Sequence, residues 1–250
     1  MRNWPAWVFI AALVLLWQAA SMTGLVPPYM LPSPVGVAAA FVRDFPLLLH
    51  HLGYTLFEAA VGLLLSILGA FVLALLMDAV PFLKTTVSPV LLLTQTMPTI
   101  ALAPLLVLWM GYGAAPKIAL IFITCFFPLT IGLLGGFAHA DTDAIRLLQS
   151  MGASRLQIYR YIKLPEAIPA LFSGLRISSS YAIIGAVISE WLGGNAGLGV
   201  YMTRVRKSYS FDKMFAVILL VAVLSLCLMK LVSIVERLVT PWNRGDTASA

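Results

Sequence analysis

Six stretches of this chain, each about as long as a bilayer-spanning helix and sparse in charge, constrain its fold more than anything else in the sequence: 6–26, 55–79, 86–110, 116–137, 170–192 and 213–238. Lipid cannot satisfy backbone N–H and C=O groups, so only helices or a closed barrel can span it. The runs show no period-2 alternation, which decides for helices. The expected fold class is therefore an all-α membrane protein with six transmembrane helices in a single transmembrane domain over 1–250. Composition agrees: 10% of residues are charged, where soluble domains carry roughly 25%. The net charge of +6 is then read by its sidedness across the membrane, and no nucleic-acid partner is expected.

Sixteen Lys and Arg residues set the orientation. With Met1 inside, ten of these 16, among them Arg2 and Arg244, fall on the inner side or at inner span ends, and six, including Arg43 and Arg204–Lys213, on the outer. Both termini and the loop 138–169 are then cytoplasmic. Met1-Arg2-Asn3 before an apolar run has a signal-peptide charge order, but the run is long and Ala19-Ala20-Ser21 is a poor cleavage site, so an uncleaved first span is expected.

Between the first two spans, Pro27 to Gly53 opens with prolines; Ser33-Pro34 reads as a cap and first position for a short amphipathic helix, Val35 to Leu49, lying on the membrane. In the third span, Pro98 and Pro104 each remove a helical hydrogen bond, which predicts a bend or unwinding. That bend is either a packing kink or part of a translocation path. Small residues in the fifth span, Ser173-Gly174, Ser178-Ser179-Ser180 and Gly185-Ala186, let backbones approach closely, between spans or between two copies of the chain. Ser179 joins Pro98 and Pro104 as a candidate path residue.

Charges in the spans are few. Arg176, Lys230 and Glu236 are expected to snorkel from span ends. Glu190, beside Trp191, either faces a pathway mouth or marks the water interface. The run Gly193 to Gly199 has no strand before it and reads as a flexible turn rather than a phosphate loop. Cys125 and Cys227 lie in apolar runs, and His50, His51 and His139 have no partners at ligand spacing, so neither disulfide nor metal is expected.

The polar exception is 141–169, with Arg146, Arg155, Arg160 and Lys163 on two short helices broken at Met151-Gly152-Ala153-Ser154. A charged hairpin of this length belongs in water, as a docking element. Leu147, Leu148 and Met151 give it an apolar face at helical spacing.

Gly152, Ile162 and Leu164-Pro165 match the G-x9-I-x-L-P pattern of the cytoplasmic loop in permease subunits of binding-protein-dependent ABC importers. The Leu31-Pro32-Ser33-Pro34 entry, Pro98 to Leu105 with Trp109 and Gly111, and Glu190-Trp191-Leu192-Gly193 extend the likeness. The chain resembles the nitrate, sulfonate and taurine branch of that family, and Ile188 to Lys213 is similar to members associated with pyrimidine precursors of thiamine. The resemblance implies the type I importer permease fold in a bacterial inner membrane. It also implies a homodimer, two ATPase subunits that use ATP and Mg, an extracytoplasmic binding protein, surrounding lipid, and no cofactor on this chain. The residues it assigns to ATPase coupling are Leu147, Leu148, Met151, Gly152, Ala153, Ser154, Arg155, Ile162, Leu164 and Pro165. The family's Glu-Ala-Ala would fall at 146–148, where this chain has Arg146, Leu147 and Leu148.

Without a Walker-type loop the chain is not expected to hydrolyse ATP, nor to be an enzyme of any kind. The substrate read from the resemblance is a thiamine pyrimidine precursor. An aliphatic sulfonate, taurine or a nitrate-like anion is the alternative, and an ion-coupled secondary transporter is the competing class.

Overall fold

The computed structural model describes residues 4–23, 26–27 and 30–243. Met1 to Asn3, the end of the predicted first span at Gly24-Leu25, Pro28 and Arg244 lie outside the described residues.

The first helix, α1 (Trp4–Met22), buries none of its residues. It is apolar on every side, as a helix facing hydrocarbon must be. Its hydrogen bonds to the rest are local, the Trp17 indole donating to the Pro32 carbonyl at 3.0 Å and Ser21 to the Leu31 carbonyl at 3.2 Å, while the Trp17 ring also lies 5.8 Å from that of Phe215.

Next comes α2 (Pro34–Ala79), one helix of 46 residues. Ser33 caps it, accepting from the Gly36 amide at 3.1 Å, and Pro34 occupies the first turn. The predicted interfacial helix 35–49 is thus not separate but continuous with the second span. Pro46 deletes one backbone bond on an exposed side, while Leu48 is fully buried and anchors the following turn. At about 1.5 Å per residue α2 is about 69 Å long, over twice the hydrocarbon thickness, so only part of it sits in lipid. Small residues at helical spacing, Ala59, Gly62, Ser66, Ala70 and Ala74, form its buried stripe.

The third span is broken. α3 (Pro81–Thr96) and α4 (Thr99–Met110) meet at 101° across Met97-Pro98. The break falls at Pro98 alone, since Pro104 lies inside α4 and Pro89 inside α3.

Then follow α5 (Ala114–Ala138), α6 (Thr142–Ser150), the single turn α7 (Arg155–Ile158), a π-helical turn at Tyr159–Lys163, and α8 (Leu164–Glu190). A short α9 (Leu198–Lys207), α10 (Phe211–Val239) and a 3-10 turn at Pro241–Asn243 complete the chain. Among the described residues five helices are long and apolar enough to cross a membrane, six if the broken pair counts as one span.

The core lies where α2, α5 and α8 meet, with α10 alongside: Ala59, Ala70, Ile121, Cys125, Leu129, Ala182, Ile183 and Ala186 are all buried. Close approach is built on glycine. A Cβ on Gly174 would sit 2.7 Å from the Pro128 carbonyl oxygen, and one on Gly136 at 2.5 Å from the Ala167 Cα. The small-residue run of the fifth span therefore packs α8 on α5 of the same chain. α9, not anticipated, buries Leu198, Tyr201, Met202 and Val205 against Leu48, Val187 and Val217.

Candidate functional site

Three polar regions stand out from the apolar bundle: a handle at one end, a cleft at the break, and a bonded cluster at the other end.

The handle is α6, α7 and the π turn. Asp141 caps α6, its Oδ1 accepting from the Asp143 and Ala144 amides at 2.8 and 3.3 Å. Gly152, at φ +81°, turns the chain in the left-handed region, and the Ala153 amide closes on the Leu148 carbonyl at 3.0 Å. Ser154 and Gln157 form a capping box that starts α7. Each end thus satisfies its own backbone, and the handle holds its shape outside the bundle. Its surface carries large apolar side chains: Leu147 is 62% exposed, Met151 73% and Leu156 78%. Apolar groups held in water on a charged element mark a contact surface.

The predicted coupling residues divide into two sets. Leu147, Met151, Gly152, Ser154 and Arg155 are exposed, and Leu148 and Ala153 half-buried, on the outer part of the handle. Ile162 is buried and Leu164 and Pro165 are half-buried at its root, where α8 begins. Leu156 and Tyr161 are exposed apolar groups on the same element that the spacing argument missed. The signal for them was an apolar or aromatic side chain among charges. Arg146, where the family's acidic residue would fall, makes only an exposed pair with Asp143 at 3.6 Å.

The cleft at the break has a volume of about 380 Å³, lined by Thr94 to Thr99 on one side and Thr124, Tyr181, Ile184, Gly185 and Ile188 on the other. Its size suits a small molecule. Hydroxyls, the Gln95 amide and the Tyr181 phenol give a polar solute hydrogen-bonding partners there. Of the predicted path residues only Pro98 lines it. Pro104 lies within α4, and Ser179, fully buried, donates to the Arg176 carbonyl at 2.7 Å.

Glu190, 1% exposed, lies in the third region. Its Oε1 accepts from the Thr55 hydroxyl at 2.7 Å and its Oε2 from the Gly199 amide at 2.6 Å. The Leu198 amide donates to Thr55 Oγ1 at 2.9 Å, and the Gly197 amide to His51 Nδ1 at 3.0 Å. Neither an interface marker nor a lining residue, Glu190 pins the glycine turn. That turn is held by its own amides rather than flexible. A Cβ on Gly197 would collide with the Glu190 carboxylate. Beside this cluster Lys117 and Glu58 pair at 2.7 Å, both side chains 6% exposed. On the buried face of α9, burial and the Asp44 carboxylate it donates to at 2.6 Å push the Tyr201 hydroxyl up from its ordinary pKa, keeping it a donor.

Arg176 and Glu236 do not snorkel separately. They pair with each other at 2.8 Å across α8 and α10, because a charge inside a bundle is far cheaper with a counter-charge. Among the described residues no cluster of metal-ligating side chains occurs.

Comparison with known proteins places this geometry. Residues 62–241 match the family described as binding-protein-dependent transport system inner membrane component. A probable ABC transporter permease protein of Haemophilus influenzae is 37% identical over 221 residues, 88% of this chain and 90% of the relative. The formylaminopyrimidine transport permease protein ThiX of Halalkalibacterium halodurans is 34% identical over 95% of both chains. Among solved structures, a chain of the MetNI methionine ABC transporter in an inward-facing conformation has the same fold, with a TM-score of 0.70, 21% identity, and coverage of 79% of this chain and 98% of that one. The sequence match over most of the chain and the shared fold have one reading: this chain belongs to the family of binding-protein-dependent transport system inner membrane components, as the non-catalytic membrane permease of an ABC importer.

Proposed function

We propose that two copies of this chain form the translocation path of an ATP-driven importer for a formylaminopyrimidine, a pyrimidine precursor of thiamine. The handle docks a separate ATPase on each copy, and an extracytoplasmic binding protein delivers the solute at the opposite end. Both termini and the handle lie in the cytoplasm. The observation that carries the reading is the exposed face of Leu147, Met151 and Leu156 on an element rooted directly in α8. A displacement of that face has a rigid route into the bundle. The cleft at the α3–α4 break is the solute's way station, where the exposed Met97-Pro98 backbone faces Thr124, Tyr181 and Ile188. The substrate class is supported by the end-to-end likeness to the formylaminopyrimidine permease.

The test is uptake into proteoliposomes holding this chain, its ATPase and its binding protein. Labelled formylaminopyrimidine is expected to accumulate only with ATP inside the ATPase compartment, and without any ion gradient. Accumulation of taurine, an aliphatic sulfonate or nitrate instead would replace the substrate and leave the machine standing. Uptake driven by a proton or sodium gradient with no ATP would overturn the importer reading itself.

A further inference from the structure

The inner end of α2 carries a half-buried polar tie that neither the docking face nor the cleft explains. Asp78, in the last turn of α2, accepts from the Tyr159 hydroxyl and from Lys163 Nζ, the latter at 2.6 Å. The Asp78 and Lys163 side chains are 13% and 20% exposed. Lys163 also lies 5.0 Å from the centre of the Tyr159 ring, which packs edge-to-face with Phe137 at a centroid separation of 5.9 Å. Both donors sit on the π turn between handle and α8, a helix form that costs backbone geometry and clusters at functional sites.

Near its middle α2 is tied again, through Thr55 to Glu190 at the far end of α8 and through His51 and Thr55 to the turn that leaves α8. From Thr55 to Asp78 is 23 residues of helix, about 35 Å. The C-terminal half of α2 is therefore pinned both at the root of α8 and at its far end. Were α8 to follow the handle while α2 stayed, a slip of even about 1 Å would take the outer bonds out of hydrogen-bonding range. Between the pins the contact is mostly small apolar side chains, which slide by shear more readily than a charged bond breaks.

We propose that Asp78 is a positioning residue for energy coupling: it fastens α2 to the root of the handle, so that α2, α8 and the outer glycine turn move as one body when the handle is pulled. Coupling then depends on a residue about 70 positions upstream of the docking motif. The inference rests on the importer reading above.

The experiment measures uptake and ATP hydrolysis in the same proteoliposomes containing the full chain, its ATPase and its binding protein. In Asp78→Ala, uptake per ATP hydrolysed is expected to fall about tenfold, within the range of ordinary coupling free energies. Asp78→Asn keeps an acceptor for Tyr159 but loses the ion pair, and is expected to fall between. The reversed pair, Asp78→Lys with Lys163→Asp, is expected to recover coupling that either change alone loses; this arm does not depend on Asp78→Ala folding. An unchanged ratio in assembled Asp78→Ala overturns the proposal. So does a reversed pair no better than its single variants, or a loss in which uptake, hydrolysis and ATPase co-purification fall together, which is what a merely structural role predicts. Failure of the importer reading shows separately, as absence of ATP-dependent uptake in the unaltered chain.

Discussion

Glu190 shows how a single side chain changes meaning once its neighbours are known. As a carboxylate beside a tryptophan at a span end it has two readings, and both face solvent. In the structure it faces neither water nor the cleft, because two donors from different elements, Thr55 of α2 and the Gly199 amide of α9, converge on its two oxygens. Glu190→Leu, close in size but without an acceptor, leaves the Gly199 amide unsatisfied in a buried site. The expected loss is about 1–3 kcal/mol of stability, read as a lowered melting temperature of the purified chain in detergent. Glu190→Gln is expected to recover most of that, since its amide oxygen can serve Gly199 while the Thr55 hydroxyl turns to the His51 carbonyl, already 3.3 Å away. A Leu variant that melts with the parent would show that the turn does not need the carboxylate. Arg176 and Glu236 make the same point: each was legible as a charge in an apolar run, but their partnership spans 60 residues and belongs to the packing.

At the scale of elements, the helices were legible wherever one physical requirement dominated. The predicted spans 116–137 and 213–238 fall on α5 and α10 because an unbroken apolar run in lipid has no alternative to a helix. The handle was legible as two helices around Met151 to Ser154, since Asp141, Gly152 and the Ser154–Gln157 box are local signals. Gly152 is the position where this local chemistry can be tested, because its Cβ would meet nothing while its φ of +81° strains any other residue. Gly152→Ala is expected to cost about 1–2 kcal/mol of local backbone strain. Gly152→Glu adds a charge at the docking face, and is expected to abolish co-purification of the ATPase while membrane insertion is unaffected. Full co-purification with the Glu variant would remove Gly152 from the contact. Where two requirements compete, the reading failed: Val35 to Leu49 was expected as a separate helix lying on the membrane, yet burial of Leu48, His51 and Thr55 carries the helix on into the second span and keeps α2 whole. α9 was missed because 10 residues with three basic side chains in the last turn look like a loop until Leu198, Tyr201, Met202 and Val205 find the core.

For the whole molecule, orientation is the prediction that decides whether the machine can work. The handle and the outer turn lie at opposite ends of α8, so a cysteine placed at Met151 and one at Tyr209, both well exposed, must label from opposite sides. In a background with Cys125 and Cys227 replaced, a membrane-impermeant thiol reagent added outside the cell is expected to reach Tyr209→Cys at once. Met151→Cys should react only after permeabilisation; labelling of intact cells at Met151→Cys would put the handle where no ATP-using partner can hold it. The sequence by itself determined that the chain is a helical membrane protein with one water-loving handle, because burying backbone in lipid and keeping a charged hairpin out of it are demands on composition and local order. Only the tertiary structure decided that the third span breaks through 101°, that the glycine turn is clamped, and that Asp78 reaches the root of the handle. Pro98 announced a bend but not its angle, and the clamp and the Asp78 tie are meetings between residues far apart in the chain, fixed by which helices pack together; a periodicity read along one helix carries no record of its neighbour.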